Sequence, residues 1–596
     1  MKTKLRLALL VFVAASGASS GLHAQTLAPG VRPGAARPEA PQSPPPPAAA
    51  DLVEIPSVME RPLDVDEGPK VKVERFEFVG VEDYPAYGVL RTEVEGIAST
   101  ALAKAGGTLT IGQMQAVADE ISNYHREKGL VYATCIVPVQ DVQGGVVKLE
   151  LLIGRLGEVK VESNRRYTSN RIAGEFKNLI GQPIEQNSLE SALIRLNDYP
   201  GLSVTGVVQP GKAIGDGALV ARVQKERMFD GQVGVDSFGR KETGRLRMHG
   251  LANWNNPLGI GDRLSVFYQP TFIPQNQHFI SGEYEVPLWG PKYTAKAYYR
   301  FNDFDIDQKG AGFEAAGRTT DGGIELAQHW LRGRVYNLSS FLGLARRDAD
   351  TFINDATTAE DHITVANLRL AFDMADRRFY GYNSLVLEYR RGIPDWFGAM
   401  GDNRRVTSFP GPSRIGGSGN KATGSFDSVI FTADRLQQLD HFPNSERLNQ
   451  LLNGHTLLFH GEVQWSDDLL VPFEQFAIGG ISSVRGYQSS EVLFDRGVYL
   501  KVEYGLPWPF GGDNPVMFDR SLREMLRLNG FYDVAWGELN DPALADVVSD
   551  TLHSVGTSLE FRPSQAISMR LTLAAPVHDD DSKPDGRVWF DANYAF

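Results

Sequence analysis

The chain has 596 residues, enough for several domains or for one very large domain with appendages. Its 60 basic and 73 acidic side chains give a formal charge of -13, so nucleic acid is not expected as a partner. The single cysteine, Cys135, excludes an intrachain disulfide and a zinc site built from cysteines. With 61 glycines and 10% aromatic residues, the composition is closer to turn-rich β-structure than to a helical membrane protein.

The first 24 residues are typical of a targeting segment. Three of the first six residues are basic, residues 7–15 are apolar, and a small-residue cleavage site ends at Ala24. The apolar run is too short for a membrane anchor, so residues 1–24 are predicted to be a signal peptide and the mature chain to be exported. Residues 25–70 are rich in Pro and Ala and are predicted to form an extended or disordered linker.

Two small units of mixed helix and strand are predicted next. In residues 71–155, Thr110 and Gln113 form the pattern of a capping box, which predicts the start of a helix, and two strand-like runs follow around the turn at Gly144. Residues 156–226 repeat this order of strand, helix and strand pair. The sequence therefore predicts two α+β modules in tandem.

From residue 227 to the end, the hydrophobic pattern has a period of two. Met248 and Trp254, for example, lie on an apolar face that alternates with His249 and other polar residues. A soluble sandwich also alternates, but these polar faces carry many long charged side chains and the apolar faces end in aromatic residues. About sixteen such segments, an even number, predict a closed transmembrane β-barrel over residues 227–596.

The predicted connections alternate in length. Those after even-numbered strands are mostly short and those after odd-numbered strands are long, which predicts that the short turns and both chain ends face the periplasm. The long outer loops are predicted at residues 302–321, 347–361, 392–424 and 466–496.

A glycine-rich stretch, residues 476–487, lies in the predicted loop between the eleventh and twelfth strands. We interpret it as part of a loop that folds back into the lumen, where Arg485 would need a carboxylate partner. Asp533, on the lumen face of the thirteenth strand, is one candidate. The alternative is that Asp533 pairs with neighbouring lumen cations such as Lys501 or Arg570 and Arg485 stays in water. The residues alone leave both arrangements open.

Two motifs resemble the signatures of the two-partner secretion transporters of the outer membrane, TpsB type, the branch that secretes haemolysin and filamentous haemagglutinin. The residues that carry the resemblance are Gly479, Gly480, Val484, Arg485, Gly486 and Tyr487 in the loop, and Phe531, Asp533 and Gly537 on the later strand. Gly537 stands one position later than in the usual pattern. Upstream, residues 129–155 are similar to the first POTRA module of that family, and the terminal Phe596 matches the signal read by the barrel-insertion machinery.

The resemblance implies a mainly β fold, with a transmembrane barrel of about 16 strands preceded by two periplasmic POTRA modules at residues 71–155 and 156–226. It implies that residues 467–496 are the in-folded loop and that Arg485 engages Asp533. It also implies a location in the outer membrane of a Gram-negative bacterium, in contact with lipid. The POTRA modules would bind a secreted exoprotein, and the barrel would pass this partner, unfolded, to the cell surface.

Two other functions stay open. An assembly factor that inserts other proteins into the outer membrane would share the barrel and the loop, whereas a passive porin or receptor would not need the modules. The sequence contains no nucleotide-binding motif, no Ser/His/Asp arrangement and no metal-ligand spacing, and His125, His249 and His460 are isolated. It therefore predicts no enzyme activity, no metal and no cofactor.

Overall fold

The computed structural model describes residues 32–34, 53–54, 68–213, 215–306, 314–376, 378–406, 409–442, 445–510, 512–544, 546–577 and 586–596. The predicted signal peptide and most of the predicted linker lie outside these residues. Within them, no helix is long and apolar enough to cross a membrane.

Two small units of mixed helix and strand precede the barrel. Their elements in chain order are β1 (Val53–Glu54), β2 (Val71–Lys72), β3 (Arg75–Val79), α1 (Arg91–Lys104), β4 (Thr108–Leu109), α2 (Ile111–Glu127), β5 (Thr134–Ile136), β6 (Val146–Leu152), β7 (Arg155–Glu162), α3 (Ser169–Gly174), α4 (Gln186–Asn197), β8 (Leu202–Pro210) and β9 (Asp216–Glu226). The first sheet has the strand order β3, β6, β5 and the second has the order β1, β8, β9, β7, while β2 pairs with β4.

Helix α2 of the first unit begins as the sequence predicts. The Thr110 hydroxyl accepts a hydrogen bond from the Gln113 amide at 3.1 Å, and the Gln113 side chain accepts one from the Thr110 amide at 3.0 Å. This reciprocal pair is a capping box, and it satisfies two amides that would otherwise have no partner near the start of the helix. The helix then buries Val117 and Ile121 in the core of the first unit.

Helix α4 of the second unit packs on its sheet at close range. Leu189, Leu193 and Leu196 are at most 2% exposed and belong to one core cluster. A Cβ atom at Gly206 of β8 would stand 2.9 Å from a methyl carbon of Leu193. Glycine is unfavourable inside a strand, and here the close approach of the helix explains it.

Strand β1 is a described part of the predicted linker, and it extends the second sheet. It pairs in parallel with β8, with Val53 opposite Gly206 and Glu54 opposite Val207. The edge of β8 that does not face β9 is therefore covered by a segment that precedes the first unit in the chain.

The rest of the chain forms a closed barrel of 16 strands in sequence order. The barrel strands are β10 (Phe229–Asp236), β11 (Leu246–Asn255), β12 (Arg263–Ile273), β13 (Gln277–Pro287), β14 (Tyr293–Ile306), β15 (Ala315–Arg332), β16 (Tyr336–Ile353), β17 (Ala356–Asp376), β18 (Gly381–Gly392), β19 (Asp427–Gln438), β20 (Thr456–Trp465), β23 (Arg496–Pro507), β26 (Leu526–Glu538), β27 (Ser549–Phe561), β28 (Ile567–Pro576) and β29 (Arg587–Ala595). The connections contain β21 (Phe476–Ile478), β22 (Val492–Phe494), β24 (Pro515–Met517), β25 (Arg520–Ser521), α5 (Glu446–Leu451) and α6 (Leu522–Met525). The mainly β fold and the strand count are confirmed.

The barrel wall has the two faces that the alternation predicts. Met248 and Trp254 of β11 are 52% and 39% exposed on the outside, whereas Asn529 and Asp533 of β26 are buried on the lumen side. Strands β10 and β29 close the barrel through five residue pairs, fewer than any other pair of neighbouring barrel strands. The amide of Phe596 adds a hydrogen bond of 3.0 Å to the Gly231 carbonyl oxygen at this closure.

Two predicted outer loops are wrong in extent. Most of residues 302–321 and 347–361 is strand, because β14 runs to Ile306, β15 begins at Ala315, and only two residues separate β16 from β17. The hydrogen-bonded ladders continue past the apolar band into a region where both faces carry polar residues, so the alternation used to place the boundaries is lost there. The connections at residues 393–426 and 466–495 are long, as predicted.

The second unit lies against the end of the barrel that carries the short turns. Arg332, at the turn after β15, makes two hydrogen bonds to the carboxylate of Asp198, at 2.8 and 2.6 Å. Arg334 in the same turn lies 3.1 Å from Glu190 of helix α4. The long loops are therefore at the opposite end of the barrel from the two units.

We expect the Cys135 thiol to be unreactive in the folded protein. The side chain is 1% exposed, and burial raises its pKa to about 12. The thiolate is the reactive form of cysteine, and because the pKa is raised, little thiolate is present at pH 8. Titration of the detergent-solubilised protein with Ellman's reagent should detect no thiol before unfolding and one per chain after it.

A matched control moves the thiol to the surface. The double variant Cys135→Ala/Ser99→Cys places it at an exposed position of helix α1, where it should react at once in the folded protein. Immediate reaction of the wild-type thiol would show that β5 is not packed against α2.

Candidate functional site

The connection between β20 and β23, residues 466–495, turns back into the barrel. Its strands β21 and β22 pair antiparallel, with Phe476 opposite Phe494, so it forms a hairpin whose tip is residues 479–491. At the tip, Val484 is 0% exposed and Arg485 is 3% exposed. A tip buried to this extent lies inside the protein and not in the solvent beyond the barrel mouth.

Glycines allow the hairpin to reverse direction sharply. Gly479 and Gly480 have φ values of 105° and 100°, in the left-handed region that side chains disfavour. The Gly480 amide donates to the Val484 carbonyl oxygen at 3.2 Å, and the Ser483 amide donates to the Gly480 carbonyl oxygen at 3.1 Å. This turn directs Arg485 toward the barrel wall.

Arg485 binds two carboxylates of the lumen wall. Its Nε and Nη2 atoms donate to the two oxygens of Asp533 at 2.9 and 2.7 Å, its amide donates to Asp533 Oδ2 at 3.1 Å, and its Nη1 donates to Glu503 at 2.7 Å. Asp533 is fully buried and accepts a further bond from the Ser554 hydroxyl at 3.1 Å. Lys501 Nζ, 3.7 Å from Glu503, offsets the second negative charge. The site is thus a buried and nearly neutral ionic cluster.

Further contacts fix Arg485 in place. The guanidinium carbon lies 3.3 Å from the ring centroid of Phe531, a cation–π arrangement. The indole N–H of Trp589 donates to the Arg485 carbonyl oxygen at 2.7 Å. A Cβ atom at Gly486 would stand 2.8 Å from the backbone nitrogen of Pro576, so this position accommodates only glycine without a shift of the wall. The tip therefore contacts strands from β23 to β29.

Apolar side chains of the loop pack on the same wall. A Cβ atom at Gly537 of β26 would stand 2.2 Å from the ring of Phe494, so the glycine makes room for this aromatic side chain. The buried cluster consists of Phe476, Ile478, Val484, Tyr487, Phe494, Tyr499, Ala535, Leu539 and Leu552. The loop is held by this apolar packing as well as by its charges.

A second ionic cluster holds the base of the loop to another part of the wall. Glu474, just before β21, is 1% exposed and pairs with Arg347 of β16. Arg390 of β18 lies 3.4 Å from the other oxygen of Glu474 and is itself paired with Glu388 at 2.8 Å. One buried carboxylate of the loop thus separates two wall arginines that would otherwise face each other.

A third cluster ties three outer loops together. Asp495, at the end of the hairpin, is fully buried and accepts a hydrogen bond from the Asn540 amide at 2.7 Å. Arg414, from the connection of residues 393–426, is 1% exposed, lies 3.5 Å from Asp495 and donates to Asp546 at 2.7 Å. Because Asn540 and Asp546 belong to the connection between β26 and β27, these contacts join the loops over the outer mouth.

The hairpin tip also contacts the place where the barrel closes. The Ser489 hydroxyl donates to the Phe238 carbonyl oxygen at 3.0 Å, and Arg240 donates to the Ser489 and Ser490 carbonyl oxygens. Phe238 and Arg240 follow β10, whereas Trp589 lies on β29. The tip therefore bridges the two strands of the shortest ladder.

Residues 32–34, from the predicted linker, lie beside the base of the same loop. A Cβ atom at Gly34 would stand 2.9 Å from the Phe473 amide nitrogen. Arg32 is half-buried, and Pro33 and Gly34 are buried. This part of the linker is packed among the loops and is not an exposed spacer.

The nine residues singled out from the sequence all lie at this site, on the hairpin or on the wall that it contacts. The sequence alone did not point to Glu503, Trp589, Glu474 or the arginines that pair with Glu474. Their only signal was a charged or aromatic residue on a lumen-facing position, and many other lumen positions have the same property. The sequence left open whether Asp533 pairs with Arg485 or with a lumen cation such as Lys501. In the structure Arg485 donates to both oxygens of Asp533, and Lys501 lies near Glu503 instead.

Comparison with known proteins identifies the family. The family described as "Haemolysin secretion/activation protein ShlB/FhaC/HecB" matches residues 215–518, about half of the chain, and "POTRA domain, ShlB-type" matches residues 88–154. The "Heme/hemopexin transporter protein HuxB" of Haemophilus influenzae is 23% identical over 503 residues, 80% of each chain. The "Outer membrane transporter CdiB" of Escherichia coli is 24% identical over 410 residues, which are 67% of this chain and 64% of that protein.

A solved structure shares the fold. The structure of CdiB from Escherichia coli superimposes with a TM-score of 0.64 at 20% identity, covering 92% of this chain and 94% of that one. The fold alone does not separate the open alternatives, because an assembly factor would share the barrel. The family match separates them, since the model that matches is that of the haemolysin secretion/activation proteins. The chain belongs to the ShlB/FhaC/HecB family of haemolysin secretion/activation proteins and is an outer-membrane transporter of the two-partner secretion type.

Proposed function

We propose that the hairpin of residues 466–495 is the gate of this transporter and that the contacts of Arg485 hold the gate closed. The observation that carries the proposal is the buried tip, which occupies the lumen that an unfolded client has to cross. Val484, Tyr487 and the tip glycines shape the gate, while Phe531, Asp533 and Gly537 form its seat on the wall. For the client to pass, the tip has to leave this seat.

The chemistry of the contacts suits a hairpin tip that has two discrete positions. A buried guanidinium without its carboxylates costs several kcal/mol, so intermediate positions of Arg485 inside the packed wall are unfavourable. The hairpin is therefore stable either with Arg485 on Asp533 or with Arg485 in water. Glu474 is buried and is paired with both Arg347 and Arg390, so the base of the loop stays anchored while the tip moves.

We propose that the client binds the units before the barrel by adding a strand to a sheet edge. Unfolded chains have unpaired backbone groups, and an exposed edge pairs them. The β5 edge of the first sheet is partly taken by α2, since the Cys135 amide donates to Ser122 at 2.8 Å and Arg126 donates to the Ala133 carbonyl oxygen at 2.9 Å. The β8 edge can accept a strand, because it pairs with β1 in this structure. We therefore propose that the client replaces β1 at this edge.

We propose the following division of the chain. Residues 1–24 are the signal peptide, 25–70 the Pro-rich linker, 71–155 and 156–226 the two POTRA modules, and 227–596 the barrel in contact with outer-membrane lipid. The match over residues 88–154 supports the first module, and the repeated packing of helices on a sheet supports the second. The position of Phe596 at the barrel closure supports its recognition by the insertion machinery. No enzyme activity is part of this function.

Replacing Arg485 should impair secretion while leaving the barrel inserted. In Arg485→Ala, the closed hairpin loses its bonds to Asp533 and Glu503, a cost of about 3–5 kcal/mol for a broken buried ion pair. A hairpin without these bonds has no fixed seat to return to after each client, so secreted partner protein should fall relative to the amount of barrel in the outer membrane, measured on the same cultures. Arg404→Ala is the control, because Arg404 is 65% exposed and 3.4 Å from Asp468, and an exposed pair contributes about 1 kcal/mol or less.

A charge exchange tests the contact itself. If Arg485 and Asp533 act as a pair, Arg485→Asp/Asp533→Arg should recover part of the secretion that each single change loses. Secretion by Arg485→Ala at the wild-type level would remove the hairpin tip from the mechanism.

Replacing Glu474 should destabilise the barrel more than replacing Glu538, a partly exposed acid of the wall. Glu474→Gln removes the buried carboxylate that Arg347 and Arg390 share and leaves them with Asp321 at 3.6 Å and Glu388 at 2.8 Å, which we expect to cost about 3–5 kcal/mol. Glu538→Gln, whose side chain is 32% exposed and 3.0 Å from Arg496, should cost about 1 kcal/mol or less. The denaturant midpoint, read from the mobility of the unheated barrel on gels, checks the difference, and equal midpoints would contradict it.

Fixing β1 to β8 should block the client. In a Cys135→Ala background, Glu54→Cys/Val207→Cys places two thiols at paired positions of these strands. Under oxidising conditions secretion should fall, and reductant should restore it. The single variant Glu54→Cys should be insensitive to oxidant, and undiminished secretion with the disulfide formed would show that the client does not use this edge.

A further inference from the structure

The hairpin of β16 and β17 carries a cluster of metal-binding side chains that the transport function does not use. Asp350 and Glu360 are directly opposite each other in the ladder, and Asp348 and His362 are opposite each other two residues further along the strands. The sequence predicts no metal site, because residues 348 and 350 are separated from residues 360 and 362 along the chain. The hairpin brings them together.

The cluster is on the outside of the barrel. His362 lies on the same face of β17 as Leu368, and Asp350 lies on the same face of β16 as Leu342. Both leucines are exposed on the outer surface, at 46% and 58%. The cluster lies past them, in the part of the hairpin that extends toward the outer loops. It therefore stands apart from the lumen and from the Arg485 site.

The donor atoms face one another at distances that suit one ion. The Nε2 atom of His362 lies 4.0 Å from Asp350 Oδ1 and 3.8 Å from Glu360 Oε2, and the ligand atoms of the three residues lie within 4.8 Å of one another. Zinc bonds of about 2.0–2.2 Å would require each donor atom to move inward by about half an ångström. Side chains that are 27–38% exposed have room for this movement.

Two observations distinguish this cluster from an ordinary group of surface charges. Among the residues that the structure describes, Asp350 Oδ1 is buried yet accepts no hydrogen bond. In addition, Asp348 Oδ1 lies 2.6 Å from Nδ1 of His362, which holds the proton on that nitrogen and leaves the Nε2 lone pair directed at the other two carboxylates. A carboxylate behind the imidazole is the usual arrangement at histidines that bind metals.

We propose that His362, Asp350 and Glu360 bind one divalent transition-metal ion of the zinc class, with Asp348 as the residue that orients His362. One imidazole nitrogen and two carboxylate oxygens are a ligand set for zinc, with a fourth position left for water. Arg346, 2.6 Å from Asp348, offsets part of the negative charge of the cluster. Because the ligands come from both strands, the ion would join β16 to β17 beyond the apolar band.

The test is zinc binding by the full-length protein in detergent, purified without a histidine tag. Titration calorimetry with zinc chloride, in a buffer containing millimolar magnesium to saturate non-specific acidic sites, should show one site per chain. His362→Ala should abolish saturable binding, and Asp348→Asn should weaken the affinity by about 10-fold or more. His553→Ala is the matched control, since His553 lies on the outer wall bonded to Tyr532 and should leave binding unchanged.

Folding of each variant is checked by the mobility of the unheated barrel on gels. If His362→Ala does not fold, Asp350→Asn/Glu360→Gln carries the same expectation of lost binding. Absence of saturable zinc binding in the wild type, or equal affinity in the wild type and a folded ligand variant, would overturn the proposal.

Discussion

The structure depends on a charge that is buried in the barrel lumen. Arg485 is carried into the wall by a hairpin, and a guanidinium is stable there only because Asp533 takes it in bidentate fashion and Glu503 takes the remaining nitrogen. The same requirement explains the polar wall around it. Lys501 and Ser554 balance or satisfy the two carboxylates, so the cluster has no large uncompensated charge.

The position of this cluster connects the hairpin tip to the closure of the barrel. The closing ladder between β10 and β29 has five residue pairs, and the hairpin tip contacts Trp589 on one side of it and the chain after β10 on the other. Packing of the tip therefore adds contacts where the barrel itself has the fewest. In the proposed gate, opening of the lumen therefore also removes contacts that support the shortest ladder of the wall.

The loop has separate attachments with different chemistry. The tip is held by Arg485, the base by Glu474 and the end by Asp495, and the partners of these three residues lie on different strands and loops. In each case a single ion of the loop meets more than one group of opposite charge or a backbone amide. This arrangement favours discrete positions of the loop, because partial displacement leaves buried ions unpaired.

The sequence by itself determined the elements whose signals are local. The period-two alternation predicted the barrel and about 16 strands, and the Thr110 and Gln113 pair predicted the start of α2. The motif around Arg485 pointed to the loop of residues 466–495 as the one that returns into the lumen. The tertiary structure alone decided what depends on register and on the curvature of the wall. Glu503 as second partner of Arg485, the arginines around Glu474, and the meeting of His362 with Asp350 and Glu360 are contacts between separate strands or loops. Such contacts have no signature along the chain, because a charged residue at a lumen-facing or polar position looks the same whether its partner is across the ladder, on a returning loop or in water.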